Sequence, residues 1–126
     1  MFEILPDKTI CITRGDAASI EVSAKRKKDG QPYTFTPGDV LRFQIYKKRD
    51  CNCILLRKDV EITEEASTGV IYLSSEDTEI GEVYRIPVDY CYEVKLNPDT
   101  KQQTIIGHDK EGEKIFRLYP EGSDDD

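Results

Sequence analysis

The sequence predicts an all-β fold, an antiparallel sandwich of about seven or eight short strands, and three observations predict it. Apolar and polar residues alternate with period two through most of the chain. Turn-forming residues punctuate that alternation at intervals of roughly 8 to 12 residues. Only one short segment, near residues 74–80, carries helix signals.

The elements follow in order. "TICITR" (9–14) reads as a first strand, and "ASIEVSAK" (18–25) as a second with Ala18, Ile20, Val22 and Ala24 on one face and Ser19, Glu21, Ser23 and Lys25 on the other. "KKDGQP" and "TPGD" then supply turns. "DVLRFQIYKK" (39–48) turns Leu41, Phe43 and Ile45 inward and Arg42, Gln44 and Tyr46 outward. After "RDCN", "CILLRKDVEI" (53–62) is expected to bury Ile54, Leu56, Val60 and Ile62, interrupted by Lys58. "TGVIYLS" (68–74) is a further strand. "SSEDTEIG" begins with serines that suit a cap, places acids in its first turn and stops at Gly81, which predicts a helical turn or two.

The clearest alternation is "YRIPVDYCYEVKL" (84–96), where Tyr84, Ile86, Val88, Tyr90, Tyr92, Val94 and Leu96 share a face; Pro87 inside it demands a broken ladder or an edge position. "QQTIIGH" (102–108) and "KIFRLY" (114–119), separated by "DKEGEK", complete the set. Strands of this number and spacing describe an immunoglobulin-like sandwich with Greek-key connections. The expected organisation is one sandwich domain over residues 1–119 and a disordered acidic tail over 120–126, ending in "GSDDD".

Composition sets the chemical bounds. With 126 residues the chain is long enough to bury a core without staples, and 37% hydrophobic against 34% charged residues is the balance of a well-solvated globular domain. No apolar run is long enough to span a bilayer as a helix, and the first residues lack the basic and apolar regions of a secretory signal, so synthesis in the cytoplasm is expected. Eighteen Lys and Arg against 25 Asp and Glu leave a net charge of -7, which opposes nucleic acid and anionic membrane as partners. The local exception, "AKRKKDG" (24–30), ends in a turn pair and reads as a solvated hairpin tip.

The four cysteines, Cys11, Cys51, Cys53 and Cys91, lack the spacing of a zinc site, since "CNC" separates its pair by one residue and the chain has one histidine, His108; a small enzyme or metal protein built on Cys51, Cys53 and His108 is a third, less favoured alternative. A reactive thiol would need a base at hand, and His108 sits at the end of an expected strand. No phosphate loop and no nucleophile in a strand–turn–helix setting are visible, and the acidic pairs Glu64–Glu65 and Glu76–Asp77 read as a loop and a helix start. No catalytic residue, metal ligand or cofactor-binding residue is therefore assigned, no cofactor is expected, and no binding residue is singled out.

"CITRGDAASIEV" (11–22) contains Arg14-Gly15-Asp16, the tripeptide of many cell-adhesion ligands. It falls between two expected strands, where Gly permits conformations other residues resist and Asp can fix a bend through its own backbone. A structural turn accounts for both residues, and an adhesion module using Arg14, Gly15 and Asp16 is the alternative.

"ITRGDAASIEVSAKRKKDGQPYTFTPGDVLRFQIYKK" resembles the opening of small proteins encoded in the tail modules of tailed phages and prophages of Gram-positive gut bacteria. The pattern is a strand, Thr-Arg-Gly-Asp, a strand, a Gly-containing hairpin, then Gly-Asp and an alternating strand, and it is similar to the N-terminal domain family of phage baseplate upper proteins. "SSEDTEIGEVYRIPVDYCYEVKL" resembles that family's Glu-Asp-Thr turn and its Tyr-x-Tyr strand, here Tyr90, Tyr92 and Glu93, and "QQTIIGHDKEGEKIFRLYPEG" its closing hairpin. The chain departs from the pattern by inserting "EVYRIP" (82–87) before the tyrosine strand.

The resemblance implies a β-sandwich that attaches to a virion and assembles with copies of itself. The expectation is a non-catalytic structural protein of a phage tail, at the baseplate or tail tip, with other tail or baseplate proteins and its own copies as partners and the virion as its location. A phage assembly factor absent from the particle is a further alternative. Tyr46, "QPYTF" (31–35) and the Pro87 interruption are the places where an interface could form.

Overall fold

The computed structural model describes residues 1–26, 30–47, 53–107 and 112–121. The chain is all-β. Its strands are β1 (Phe2–Ile4), β2 (Ile10–Thr13), β3 (Ala18–Val22), β4 (Val40–Tyr46), β5 (Ile54–Glu61), β6 (Gly69–Leu73), β7 (Val88–Leu96), β8 (Gln103–Ile106) and β9 (Ile115–Tyr119), with one 3₁₀ turn at Glu76–Thr78.

The strands form two sheets. The larger runs β1-β2-β9-β7-β4-β5, with β8 beside the C-terminal half of β7; the smaller contains β3 and β6. The chain crosses from the small sheet to the large one between β3 and β4, returns between β5 and β6, and crosses again to β7. These crossings give the Greek-key character expected. Pairing is antiparallel except between β2 and β9, which run parallel with Ile12 opposite Leu118.

The alternation of each strand feeds one core between the sheets. Ile20, Val22, Ile71 and Leu73 point in from the small sheet, and Ile10, Ile12, Leu41, Phe43, Ile45, Tyr92, Val94 and Phe116 from the large one, all buried. Phe43 sits at the aromatic centre, with ring centroids 5.6 Å from Tyr92 and 6.4 Å from Phe116. Burying each such side chain contributes about 1.5–3 kcal/mol, so this layer dominates the stability of the fold.

Three expectations need correction. Ile54 does not point inward: a bulge after Ile45 places Leu55 out of register and sets Ile54 opposite Tyr46 on the outer face, where it is 48% exposed. The run from Tyr84 is not continuous strand. β7 begins at Val88, because Pro87 cannot donate to the ladder, and Tyr84 and Ile86 stand exposed. The short helical turn expected near residues 74–80 is present, as one 3₁₀ turn, but its cap differs. Ser75 makes no side-chain cap; instead Ser74 and Asp77 bond reciprocally, the Ser74 amide donating to the Asp77 carboxylate at 2.8 Å and the Asp77 amide to Ser74 Oγ at 3.3 Å. Strand β1 was not expected from the sequence, and residues 122–126 of the expected tail lie outside the described residues.

Candidate interaction surfaces

The Arg-Gly-Asp corner is built into the fold. Arg14 and Gly15 form a turn after β2, and Gly15 has φ +88°, a conformation that costs residues with a Cβ. Arg14 Nη1 donates to the Ile80 carbonyl at 2.7 Å. The Gly15 amide donates to Thr78 Oγ1 at 2.9 Å, and that buried hydroxyl donates to the Asp16 carbonyl at 2.8 Å. The Asp16 carboxylate accepts from the Met1 ammonium at 2.6 Å. The tripeptide therefore fastens the β2–β3 corner to the 3₁₀ turn between β6 and β7. Its cationic and anionic groups both have partners within the chain.

"TPGD" and "QPYTF" meet at the opposite end. Thr36 to Asp39 make a turn closed by the Asp39 amide on the Thr36 carbonyl, with Gly38 at φ +99° as this turn type requires. The buried Asp39 carboxylate accepts from the Tyr33 hydroxyl at 2.9 Å, the Thr36 amide at 3.0 Å and Asn97 Nδ2 at 3.1 Å. Asn97 in turn accepts from the Val40 amide. Burial pushes the Asp39 carboxyl up, but the bonds from Thr36, Asn97 and Tyr33 outweigh it and hold the group below its ordinary value. Burial and that carboxylate raise Tyr33. Phe35 is wholly buried against Tyr33, so this expected interface segment serves as core and clasp.

The outer face of the large sheet is a ladder of paired charges. Arg42 grips Asp59 with two bonds, at 2.9 and 3.1 Å, and reaches Asp99 at 3.3 Å. Arg117 grips Asp89 in the same way, at 2.7 and 3.1 Å. Both arginines face the acid directly across from them in the register, so strand pairing itself sets the geometry. Tyr46, half-buried, shares its hydroxyl between Gln44 and the Glu93 carboxylate, and Lys95 lies 3.2 Å from the same carboxylate. Burial, then the Glu93 bond, pushes the Tyr46 phenol strongly up. Tyr46 is thus committed to the face rather than offered to a partner. On the inner side, Lys58 of β5 extends to Asp77 at 2.9 Å.

The remaining chemical candidates separate. Cys11 is buried, Cys53 is exposed, and Cys91 Sγ lies 3.1 Å from Glu113. Cys51 and His108 lie outside the described residues, as do residues 27–29 of the basic run. Glu64 and Glu65 are exposed beside Ala66, which bridges to Phe35. Among the described residues no three His, Cys, Asp or Glu side chains are placed to share a metal ion, and no helix is long and apolar enough to cross a membrane. Tyr92 was legible only as core; its hydroxyl also donates to the Lys8 carbonyl at 2.5 Å, a bond across distant sequence that no local signal announces.

What stands unabsorbed is apolar. Residues 82–87, the "EVYRIP" insertion, are exposed throughout, with Val83 at 78% and Ile86 at 68%. Tyr84 and Ile86 line a shallow hollow with Arg14, Val88, Tyr90 and Pro120. A second apolar feature is the outer stripe of the small sheet, Val70 and Tyr72, at 47% and 56% exposure. Exposed aliphatic and aromatic groups held on a rigid sheet are suited to burying a protein surface, whereas the hollow is too shallow to enclose a small molecule. No family model, curated protein or solved structure matches the chain.

Proposed function

We propose that this chain is a non-catalytic assembly module of a tailed phage or prophage, a baseplate or tail-tip component that binds neighbouring tail proteins and copies of itself. The observation that carries this reading is the contrast at one corner of the sandwich. The polar Arg14, Gly15 and Asp16 are consumed in internal bonds, while the adjacent Val83, Tyr84 and Ile86 are held in water. A partner that covered residues 82–87 would bury apolar groups without first breaking a salt bridge. The sequence resemblance supplies the setting, a virion assembled in the bacterial cytoplasm, and no cofactor belongs to this reading.

The adhesion alternative would require Arg14 and Asp16 to leave the Ile80 carbonyl and the Met1 ammonium, which disfavours it. The test is peptide mass spectrometry of particles induced from the source bacterium and purified by density gradient. Stoichiometric peptides such as "IPVDYCYEVK" are the expected result. Their absence from particles, with the protein abundant in the lysate, contradicts a virion component and favours an assembly factor.

A further inference from the structure

The small sheet has two strands, and neither edge of it pairs with another strand among the described residues. A two-stranded sheet is a marginal unit whose open edge is a template for another strand. Natural edges are commonly protected by charge, shortness or a bulge. Here β5 carries Arg57, Lys58, Asp59 and Glu61, β3 carries Glu21, and β1 is three residues long with Glu3 at its centre. β8 is uncharged but spans four residues and meets β7 through a register shift.

β6 has none of these protections. From Ala66 to Ser75 no residue carries a charge, the longest such run in a chain that is 34% charged. Its inner residues Gly69, Ile71 and Leu73 are buried, and its outer residues Val70 and Tyr72 are among the exposed large hydrophobics.

We propose that β6 pairs antiparallel with β6 of a second copy of this chain, joining two small sheets into one four-stranded sheet. This deepens the assembly reading above by naming the partner for one surface. The register follows from a twofold axis at Ile71, which faces itself and sets Val70 opposite Tyr72 of the second copy on the outer face. That is a β-branched residue against an aromatic one, a favourable cross-strand pair, and it forms twice.

Charge selects this edge for a self-contact. Two chains of net charge -7 repel, so copies meet best where neither brings a charge. The nearest acid on the same outer face is Glu21, opposite Val70 on β3. Across the joined sheet the two Glu21 residues lie three strand spacings apart, about 14 Å, beyond the screening length of about 8 Å at physiological salt.

The test is sedimentation equilibrium of the full chain from micromolar to millimolar concentration, beside Val70→Lys/Tyr72→Lys and, as a comparison, Val83→Ser/Ile86→Ser. The expected result is a dimer whose dissociation constant rises more than about tenfold in the double-lysine variant, because like charges then face each other across the axis. The loop variant is expected to dimerise as the native chain does. Circular dichroism checks the fold, and Tyr72→Lys alone serves if the double variant does not fold.

A native chain that stays monomeric throughout overturns the proposal. So does a dimer indifferent to lysine at Val70 and Tyr72, or one lost in the loop variant. A β6 dimer from a protein missing from particles would leave this inference standing and remove the virion reading.

Discussion

The two outer faces of the sandwich meet water by different means. On the large sheet, Arg42, Arg117 and Lys95 each stand against an acid, so charge is neutralised pair by pair along the strands. On the small sheet the outer positions are Ser19, Glu21, Val70 and Tyr72, and the β6 strand carries no charge. The arginines of the first face are bonded to acids within the chain, whereas the second carries the apolar pair Val70 and Tyr72 and, among the described residues, no strand beyond β3 or β6. The difference teaches that one sheet meets water through paired charges set by strand register, while the other leaves apolar side chains at its outer positions, which is where the proposed β6 contact is placed.

The largest expected effect sharpens the contrast within β6 itself. Ile71→Ala, at a fully buried position, should lower stability by about 2–5 kcal/mol, measured by denaturant unfolding. The neighbouring Tyr72→Ser should change the stability of the monomer by less than about 0.5 kcal/mol. If the two cost the same, the assignment of inner and outer faces is wrong.

A smaller effect is expected at Asp39, which lies on neither face but joins the 36–39 turn to Asn97. Asp39→Asn should cost about 1–3 kcal/mol, because an amide cannot accept from all the donors that the carboxylate satisfies. Its pH dependence has a definite sign. Asp39, Asp59 and Asp77 are all held below their ordinary values in the folded chain, so each contributes stability that is fully present above the unfolded pKa of about 3.9 and lost as pH falls through the folded one. Thermal unfolding should therefore shift to lower temperature below about pH 4, less steeply in Asp39→Asn, and stay flat through neutrality.

The smallest effect belongs to the charged face. Arg117→Ala should cost about 0.2–1 kcal/mol and less at high salt, since the pair with Asp89 is partly exposed, and it should leave self-association unchanged. A large effect of this substitution on association would move the interface to the other face and break the comparison.

Much of the fold was legible because alternation is a local signal. Val22, Phe43 and Val94 declare their faces through their immediate neighbours, and the strands around them were readable for that reason. What was illegible depends on distant partners. The bulge that turns Ile54 outward is set by how β4 and β5 settle together, not by the apolar run that contains it. β1 is three exposed residues whose only signal is the strand it pairs with.

The surfaces divide in the same way. The Arg-Gly-Asp turn was readable as a turn, but its bonds to Thr78 and Ile80 span much of the chain. Tyr84 and Ile86 of "EVYRIP" kept the apolar period of the following strand and so read as part of it, although Pro87 and the lack of a ladder partner leave them exposed. The neutral run 66–75 is plain in the sequence; that its central strand β6 stands at the edge of a two-stranded sheet is a property of topology.

Hydrogen exchange followed by mass spectrometry at low and high protein concentration addresses the claim about this edge most directly. The account predicts that raising the concentration slows exchange within residues 66–75, at the β6 amides that gain partners across the twofold axis, and leaves the large sheet unchanged. Exchange in 66–75 that ignores concentration, or slowing confined to residues 82–87, would contradict it.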